Sequence, residues 1–166
     1  MAEGLFARMR RVVTSNINDM VSRAEDPEKM LNQLIVEMNQ QLIESKKMVA
    51  SAIADEKKLE RQMNEQTRLG SEWEKKAMLA LRAAEREPDK QEHYENLAKQ
   101  ALLRKKEHDA NGAQYRGQWE QQHASVEQLK EALRGLQQKI EEAQRKKNLL
   151  IARQRRAEAQ KRINEQ

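Results

Sequence analysis

A seven-residue apolar repeat runs through most of this 166-residue chain, and only two prolines interrupt it. Apolar residues recur at alternating steps of three and four, the spacing that places them on one side of a helix. Pro27 and Pro88 divide the repeat into two long segments, about 27–86 and 88–164. Because each segment carries a seam that needs an apolar partner in water, we predict that the two pair as a long antiparallel coiled-coil hairpin.

The seam of the predicted hairpin contains large apolar residues in both arms. They are Leu42, Val49, Leu59, Met63 and Trp73 in the first arm, and Val126, Leu129, Leu133, Leu136 and Ile140 in the second. With a turn near Glu87, Met63 is expected opposite Asn111–Gly112. Trp73 is interpreted as a core residue, with contact to another subunit as the alternative. Gly112 and Gly117 lower the helix propensity of the second arm. Because the apolar period continues on both sides of them, we predict a continuous helix, with a hinge as the alternative.

The composition favours long helices over a compact globular core. Charged residues make up 36% of the chain and aromatic residues 3%, and the mean hydropathy is −1.07. Such a chain has few bulky side chains to fill a three-dimensional core, but it is rich in good helix formers. The sustained apolar period argues against disorder. We therefore predict an all-α fold.

The first 24 residues form a separate amphipathic segment, predicted as one short helix. Its apolar face consists of Leu5, Phe6, Met9, Val12, Val13, Ile17, Met20 and Val21, and its basic residues include Arg8, Arg10 and Arg11. The helix should end near Arg23, because Asp26 and Pro27 are the N-cap and first residue of the next helix. The apolar face requires cover from lipid, from another subunit or from the hairpin itself. The pattern alone does not choose between them.

A surplus of positive charge lies near the end of the second arm. Between Arg145 and Arg162 the chain has eight basic residues and one acidic residue, Glu158. In the predicted register this run lies at the open end of the hairpin, where the N-terminal segment also begins. The run is interpreted as a solvated helix face, since such faces are common on long helices. Contact with an anionic surface is the alternative.

Several classes of function are disfavoured by what the sequence lacks. It has no cysteine, no apolar run long enough to span a bilayer, and no continuous apolar region of the kind found in signal peptides. His93, His108 and His123 are too far apart to form one metal site. No phosphate-binding loop or catalytic constellation occurs, and aromatic residues are too few for a nucleic-acid surface. We therefore expect no enzyme activity, cofactor, metal or nucleic-acid partner.

Four sequence segments resemble the PspA/IM30 (Vipp1) family, and they occur in the order expected for that family. They are GLFARMRRVVTSNIN with AEDPEKMLNQLIVEM near the start, WEKKAMLALRAAERE, ENLAKQALLRKKE, and NLLIARQRRAEAQKRINE near the end. The resemblance extends over nearly the whole chain. Family members usually continue beyond this point with further helices that pack across neighbouring subunits. We therefore expect the contacts made by those helices to be missing here.

The resemblance implies a function that the periodicity does not show. Members are bacterial and plastid relatives of the ESCRT-III superfamily that assemble into rings or helical rods and protect or reshape anionic membranes. The implied lipid-contacting element is the N-terminal helix, here Gly4 to Arg23, at the cytoplasmic face of the inner membrane. Some members instead inhibit an AAA+ transcriptional activator through the hairpin, and that regulatory function is the alternative. A coiled-coil spacer without lipid binding is a third possibility.

Overall fold

The computed structural model describes residues 2–166, with side chains from Gly4 onward, and all of its regular elements are helical. These are α1 (Ala2–Val13), α2 (Ile17–Arg23), α3 (Pro27–Arg86), a single 3₁₀ turn (Pro88–Lys90) and α4 (Gln91–Glu165). No strand occurs among the described residues. The predicted all-α fold with a long helical hairpin is confirmed, because α3 and α4 pack closely together.

The helix boundaries at Asp26 and Pro88 follow the local chemistry of the sequence. The carboxylate of Asp26 accepts a hydrogen bond from the Lys29 backbone N–H (3.2 Å), and Pro27 is the first helical residue. This is the predicted N-cap with proline at the position where a missing N–H costs least. At the other end, α3 stops at Arg86 and α4 begins at Gln91, three residues later than predicted.

The prediction of one helix over residues 1–24 was wrong, since two helices, α1 and α2, occupy this segment; Met1 lies outside the described residues. The break follows from Thr14, Ser15 and Asn16. The Thr14 and Ser15 hydroxyls donate hydrogen bonds to carbonyls of the last turn of α1. Asn16 has extended backbone angles, and its side chain accepts a hydrogen bond from the Asp19 N–H (3.0 Å). Short polar side chains of this kind compete with the helical backbone and begin a new helix.

The chain divides into two compact units, which are described separately. The first unit comprises the residues up to Ser51 together with Glu127–Gln166. Its core combines residues from all four helices. The buried members are Leu5, Met9, Ile17, Val21, Leu31, Ile35, Met38, Leu136, Ile140 and Ala143. The N-terminal segment is therefore part of the apolar core of this unit.

The second unit comprises Ala52–Val126 and has a narrower seam. Its buried apolar residues are Ala77, Ala84, Ala98, Ala101 and Val126. Polar contacts fix the pairing of its arms: His108 Nδ1 lies 2.7 Å from Gln66 Oε1, and Gln122 Nε2 donates to the Ala52 carbonyl (3.1 Å). Met63 and Gly112 line the same groove, which is the register that a turn near Glu87 predicts.

Helix α4 is continuous through both of its central glycines, so the hinge alternative is not observed. Its last fifteen residues, 152–166, are helical almost to the end but have exposed side chains. The predicted overhang from about Asn148 is thus found a few residues later, because Leu150 still packs against the core of the first unit.

Candidate functional site

The apolar face of α1 packs inward, and its basic face is exposed. Leu5 is 6% exposed and Met9 is 0% exposed, both within the core of the first unit. Arg8, Arg10 and Arg11 are all exposed. Helix α1 is therefore amphipathic as predicted, and its own chain covers most of its apolar face.

Helix α2 continues this packing after the break. Ile17 and Val21 are buried in the same core, while Met20 is half-buried and does not belong to the core cluster. The spacing of four between Ile17 and Val21 places both on one face of this two-turn helix.

Phe6 differs from the other apolar residues of α1. It is half-buried, and it is absent from the residues that form or flank the core. The guanidinium carbon of Arg10 lies 5.9 Å from the centre of the Phe6 ring, within the range of a cation–π contact. Val12 and Val13 are also half-buried, but both pack against the core. Among Leu5, Phe6, Met9, Val12 and Val13, Phe6 is therefore the side chain that neither belongs to the core nor packs against it.

Two residues of α4 hold α1 closely, and sequence reasoning did not identify either of them. A methyl group built at Gly135 would lie 2.9 Å from Val13 Cγ2, which is closer than real side chains approach. Lys139 Nζ donates a hydrogen bond to the Ser15 carbonyl (2.6 Å) and pairs with Glu142 Oε2 (3.2 Å). Gly135 lies outside the seam positions Leu133 and Leu136, and a glycine inside a helical repeat, which is unfavourable unless packing requires it, is the signal that could have identified it.

The basic run of Arg145–Arg162 begins just after the last core residue of α4, Ala143. Within the part of the chain that the structure describes, none of its eight basic side chains pairs with a carboxylate. Every salt bridge found there joins other residues. The first unit thus carries a set of uncompensated positive charges next to the segment that docks α1 and α2.

The predicted seam residues are all at least half-buried. Val49, Val126, Leu136 and Ile140 are buried, and Leu42, Leu59, Met63, Trp73, Leu129 and Leu133 are half-buried. Trp73 also lies beneath a lysine, since Lys76 Nζ is 4.2 Å from its ring centre. Polar side chains also contact each other across the seam of the second unit. His123 Nδ1 lies 2.6 Å from Glu56 Oε1, and the His123 ring stacks on Trp119.

Local ion pairs and hydrogen bonds shift a few pKa values on the hairpin. The hydroxyl of Tyr94 donates to Glu87 Oε2 (2.9 Å), and this bond, together with the negative charge of Glu87, raises the pKa of Tyr94. Arg68 bridges Glu65 and Glu72, and its hydrogen bond to Glu65 lowers the pKa of that carboxyl group. Glu65, Arg68, Glu72 and Glu87 are exposed, and Tyr94 is half-buried.

A second exposed surface lies in the hairpin arms close to the turn. Large apolar side chains there are 41–62% exposed: Met78, Leu79, Leu81, Leu97, Leu102 and Leu103. All six belong to the second unit. The alanines at the adjacent seam positions let the two helices approach closely, so the larger residues lie outside the seam.

The described residues contain no group of three or more histidine and carboxylate side chains that could hold a metal ion. None of the helices that they form is long and apolar enough to span a bilayer. The site is an amphipathic surface, in which apolar side chains of α1 and α2 pack on the core and arginines of α1 are exposed.

The sequence has relatives among known proteins. A family model described as PspA/IM30 matches residues 4–166. The chain is 44% identical over 156 residues to the membrane-associated protein Vipp1 of Synechocystis sp., covering 94% of this chain and 55% of that protein. The Vipp1 of Nostoc punctiforme is 43% identical over 160 residues, covering 96% of this chain and 58% of that protein.

A relative with a different name matches over a similar span. The phage shock protein A homolog of Deinococcus radiodurans is 39% identical over 155 residues, which cover 93% of this chain and 66% of that protein. The chain thus spans between about half and two thirds of the length of these three relatives.

Proposed function

The chain belongs to the PspA/IM30 family, and on that premise we propose that it is a peripheral membrane-binding scaffold. In this proposal α1 and α2 bind an anionic bilayer at the inner face of the cytoplasmic membrane. Copies of the hairpin associate side by side, as in ESCRT-III-like polymers, and support, protect or reshape the membrane. The names of the two Vipp1 relatives, which are described as membrane-associated proteins, support the first part of the proposal.

The observation that carries the proposal is the two-sided character of α1. Three exposed arginines lie on a helix whose Phe6 ring is only partly covered by its own chain. A basic residue near an anionic surface contributes about 1 kcal/mol, so Arg8, Arg10 and Arg11 together contribute about 3 kcal/mol at low salt. An aromatic ring beside them provides the apolar insertion that interfacial helices use.

The buried residues of α1 do not oppose this function as strongly as their burial suggests. Burying a leucine or methionine side chain fully contributes about 1.5–3 kcal/mol relative to water. Moving Leu5 and Met9 from the protein core into acyl chains exchanges one apolar environment for another, so the contribution of these two side chains is retained. The core residues that they cover, among them Leu31 and Leu136, lose that cover, and this loss is the cost of the movement. The arginines and Phe6 then favour the membrane-bound state, because they gain contacts there that the protein core does not supply.

The proposed mechanism is physical. A single short helix binds a bilayer weakly, but many such helices on one assembly bind with high avidity, because each additional attachment is intramolecular. Inserted helices together with a stiff hairpin array can then curve or seal the bilayer. No cofactor, metal or reaction step enters this mechanism.

Substitution of Phe6 tests membrane binding. Phe6→Asp places a charge where an aromatic ring would enter the bilayer, and it leaves Leu5 and Met9 in the core. We expect vesicle binding to fall at least tenfold, which corresponds to about 1.4 kcal/mol. The measurement is flotation with vesicles of equal parts phosphatidylglycerol and phosphatidylcholine, with helicity followed by circular dichroism.

The matched control is Leu79→Asp, which adds the same charge at a side chain that is 62% exposed in the second unit, outside the proposed lipid-binding helices and the self-association face. Its vesicle binding should stay near that of the unmodified chain. Equal binding by the Phe6→Asp variant and the unmodified chain would contradict the proposal.

Self-association is supported by exposed apolar residues on the outer face of α3. Val36 and Ile43 are 58% and 57% exposed and lie one heptad apart, so they share one helix face. Negative-stain imaging with and without the same vesicles tests this part of the proposal. Rings or rods are the expected result, and only monomers at micromolar concentration would argue against it.

The alternative function is regulation, in which the hairpin sequesters an AAA+ transcriptional activator. The observation in its favour is the group of exposed large apolar side chains near the hairpin turn, from Met78 to Leu103, which has the apolar character of a protein-binding surface. The name of the phage shock protein A homolog is consistent with it. A pull-down with the activator, with and without vesicles, separates the two functions, because only the regulator would retain the activator in the absence of lipid.

A further inference from the structure

The contact between Val13 and Gly135 is unusually close for two helices. A Cβ atom at position 135 would lie 2.9 Å and 3.0 Å from the two terminal methyl groups of Val13. Any side chain at this position therefore pushes α1 away from α4. At Gly117, on the same helix, a Cβ would meet nothing within 4 Å. Gly135 thus has a steric function at the α1 docking site that Gly117 lacks.

A second contact holds the end of α1. Lys139, one turn beyond Gly135, donates from Nζ to the Ser15 carbonyl just after α1, and its side chain is only 19% exposed. A partly buried charged donor makes a stronger hydrogen bond than a neutral one. Lys139 therefore favours the docked position of this turn.

One side of the docked helix is open. A groove of about 490 Å³ lies along α1 and α4 and is lined by Phe6, Arg10 and Val13 on one side and by Gln128, Glu131 and Gly135 among others on the other. Because this side is not enclosed, α1 can leave without unfolding α3 or α4. The turn at residues 14–16 and the bend before Pro27 are the non-helical segments whose backbone angles would change in that movement.

We propose that Gly135 and Lys139 hold α1 in an autoinhibited, docked state, and that membrane binding requires α1 to leave this site. The inference rests on the proposed function. It adds a regulatory contact: the same Leu5 and Met9 side chains are used either by the core of the first unit or by the bilayer, but not by both. A firmer docking site lowers the apparent membrane affinity by reducing the fraction of α1 that is free.

A disulfide between positions 13 and 135 tests the proposal directly. The chain contains no cysteine, and an ideal Cβ at position 135 lies 3.6 Å from Val13 Cβ. That separation is within the range of natural disulfides. The double variant Val13→Cys with Gly135→Cys should therefore form an intramolecular bond on mild oxidation. Free-thiol assay and non-reducing electrophoresis report its formation.

With vesicles of equal parts phosphatidylglycerol and phosphatidylcholine, the oxidised double variant should bind at least tenfold more weakly than the reduced form. The single-cysteine variants, treated in the same way, are the matched controls and should not change. Equal binding by the oxidised and reduced forms would overturn the autoinhibition proposal and leave the membrane function standing. Absence of binding by the unmodified chain would instead refute the proposed function. Failure of the two thiols to join would refute the docked geometry.

A second pair of variants tests the steric contact without oxidation. Gly135→Ala should displace α1, and amide hydrogens of residues 5–17 should then exchange at least tenfold faster in the absence of lipid. Gly117→Ala is the control, since it makes the same change on α4 without touching α1. Adding Val13→Ala to Gly135→Ala removes the colliding methyl groups and should restore slow exchange. Equal exchange in the two alanine variants would overturn the assignment of Gly135.

Discussion

Gly135 determines how closely two helices approach, and the apolar repeat does not reveal that distance. The apolar repeat predicts which side of each helix is buried, but it does not report how closely two helices approach. A glycine inside a helix is unfavourable by about 1 kcal/mol relative to alanine. At Gly135 the compensation is the approach of Val13, which becomes visible only when the two helices are placed together.

The Tyr94–Glu87 hydrogen bond predicts a measurable titration. Because the folded pKa of Tyr94 is raised, the bond stabilises the fold fully below the unfolded value of about 10, and this contribution is lost as the pH rises through the folded value. In a Tyr115→Phe background, in which Tyr94 is the only tyrosine, we expect Glu87→Ala to lower the phenol pKa. The ultraviolet absorbance of the phenolate, measured as a function of pH, follows this titration.

Glu92→Ala is the control for this titration, since Glu92 is another carboxylate near the turn that makes no hydrogen bond to Tyr94. It should leave the phenol titration near that of the Tyr115→Phe background. If both alanine variants titrate alike, the bond to Glu87 is not the cause of the shift.

At the scale of elements, the long helices were predictable and the division of the N-terminal segment was not. Pro27 marks the start of α3 and Pro88 lies in the turn between α3 and α4, because proline disfavours helical backbone angles in the residue before it. The break between α1 and α2 depends on Thr14, Ser15 and Asn16, whose side chains can either stay in a helix or cap a new one. The apolar spacing continues across the break, so periodicity alone favoured one helix.

The cap at Asn16 predicts a local loss of stability. Asn16→Ala removes the acceptor for the Asp19 N–H and should destabilise α2 by about 1 kcal/mol. Hydrogen exchange of the α2 amides measures this as roughly fivefold faster exchange. Asn18→Ala is the matched control, because Asn18 is exposed within α2 and alanine there is a better helix former. Equal exchange in both variants would show that the cap does not hold α2.

At the scale of the whole molecule, the sequence predicted the hairpin and its register but not the partner of the N-terminal apolar face. An amphipathic pattern states that a face needs cover, and lipid, another subunit and the same chain all satisfy it equally. The docking of α1 and α2 on the first unit depends on contacts between residues more than 120 positions apart, such as Ser15 and Lys139. The apolar repeat along the sequence does not show which residues that are distant in the chain contact each other.

The net charge of +5 predicts a strong dependence of membrane binding on salt. Raising the ionic strength from about 0.05 M to about 0.5 M shortens the Debye length severalfold and screens the exposed arginines. We expect binding to vesicles rich in phosphatidylglycerol to fall at least tenfold over this range in a flotation assay. Vesicles of phosphatidylcholine alone are the control and should show weak binding throughout. Salt-independent binding would argue against an electrostatic contribution from α1 and the basic run.

The shared core of the first unit changes how the N-terminal helices can be studied. Deleting residues 1–24 would leave Leu31, Ile35 and Leu136 without the side chains that now cover them. The shortened protein would then expose apolar core residues to water and would be prone to aggregate. In a sedimentation experiment this aggregation could be mistaken for binding to liposomes. Truncation, the usual way to show that a terminal segment is needed, is for this chain the least informative perturbation.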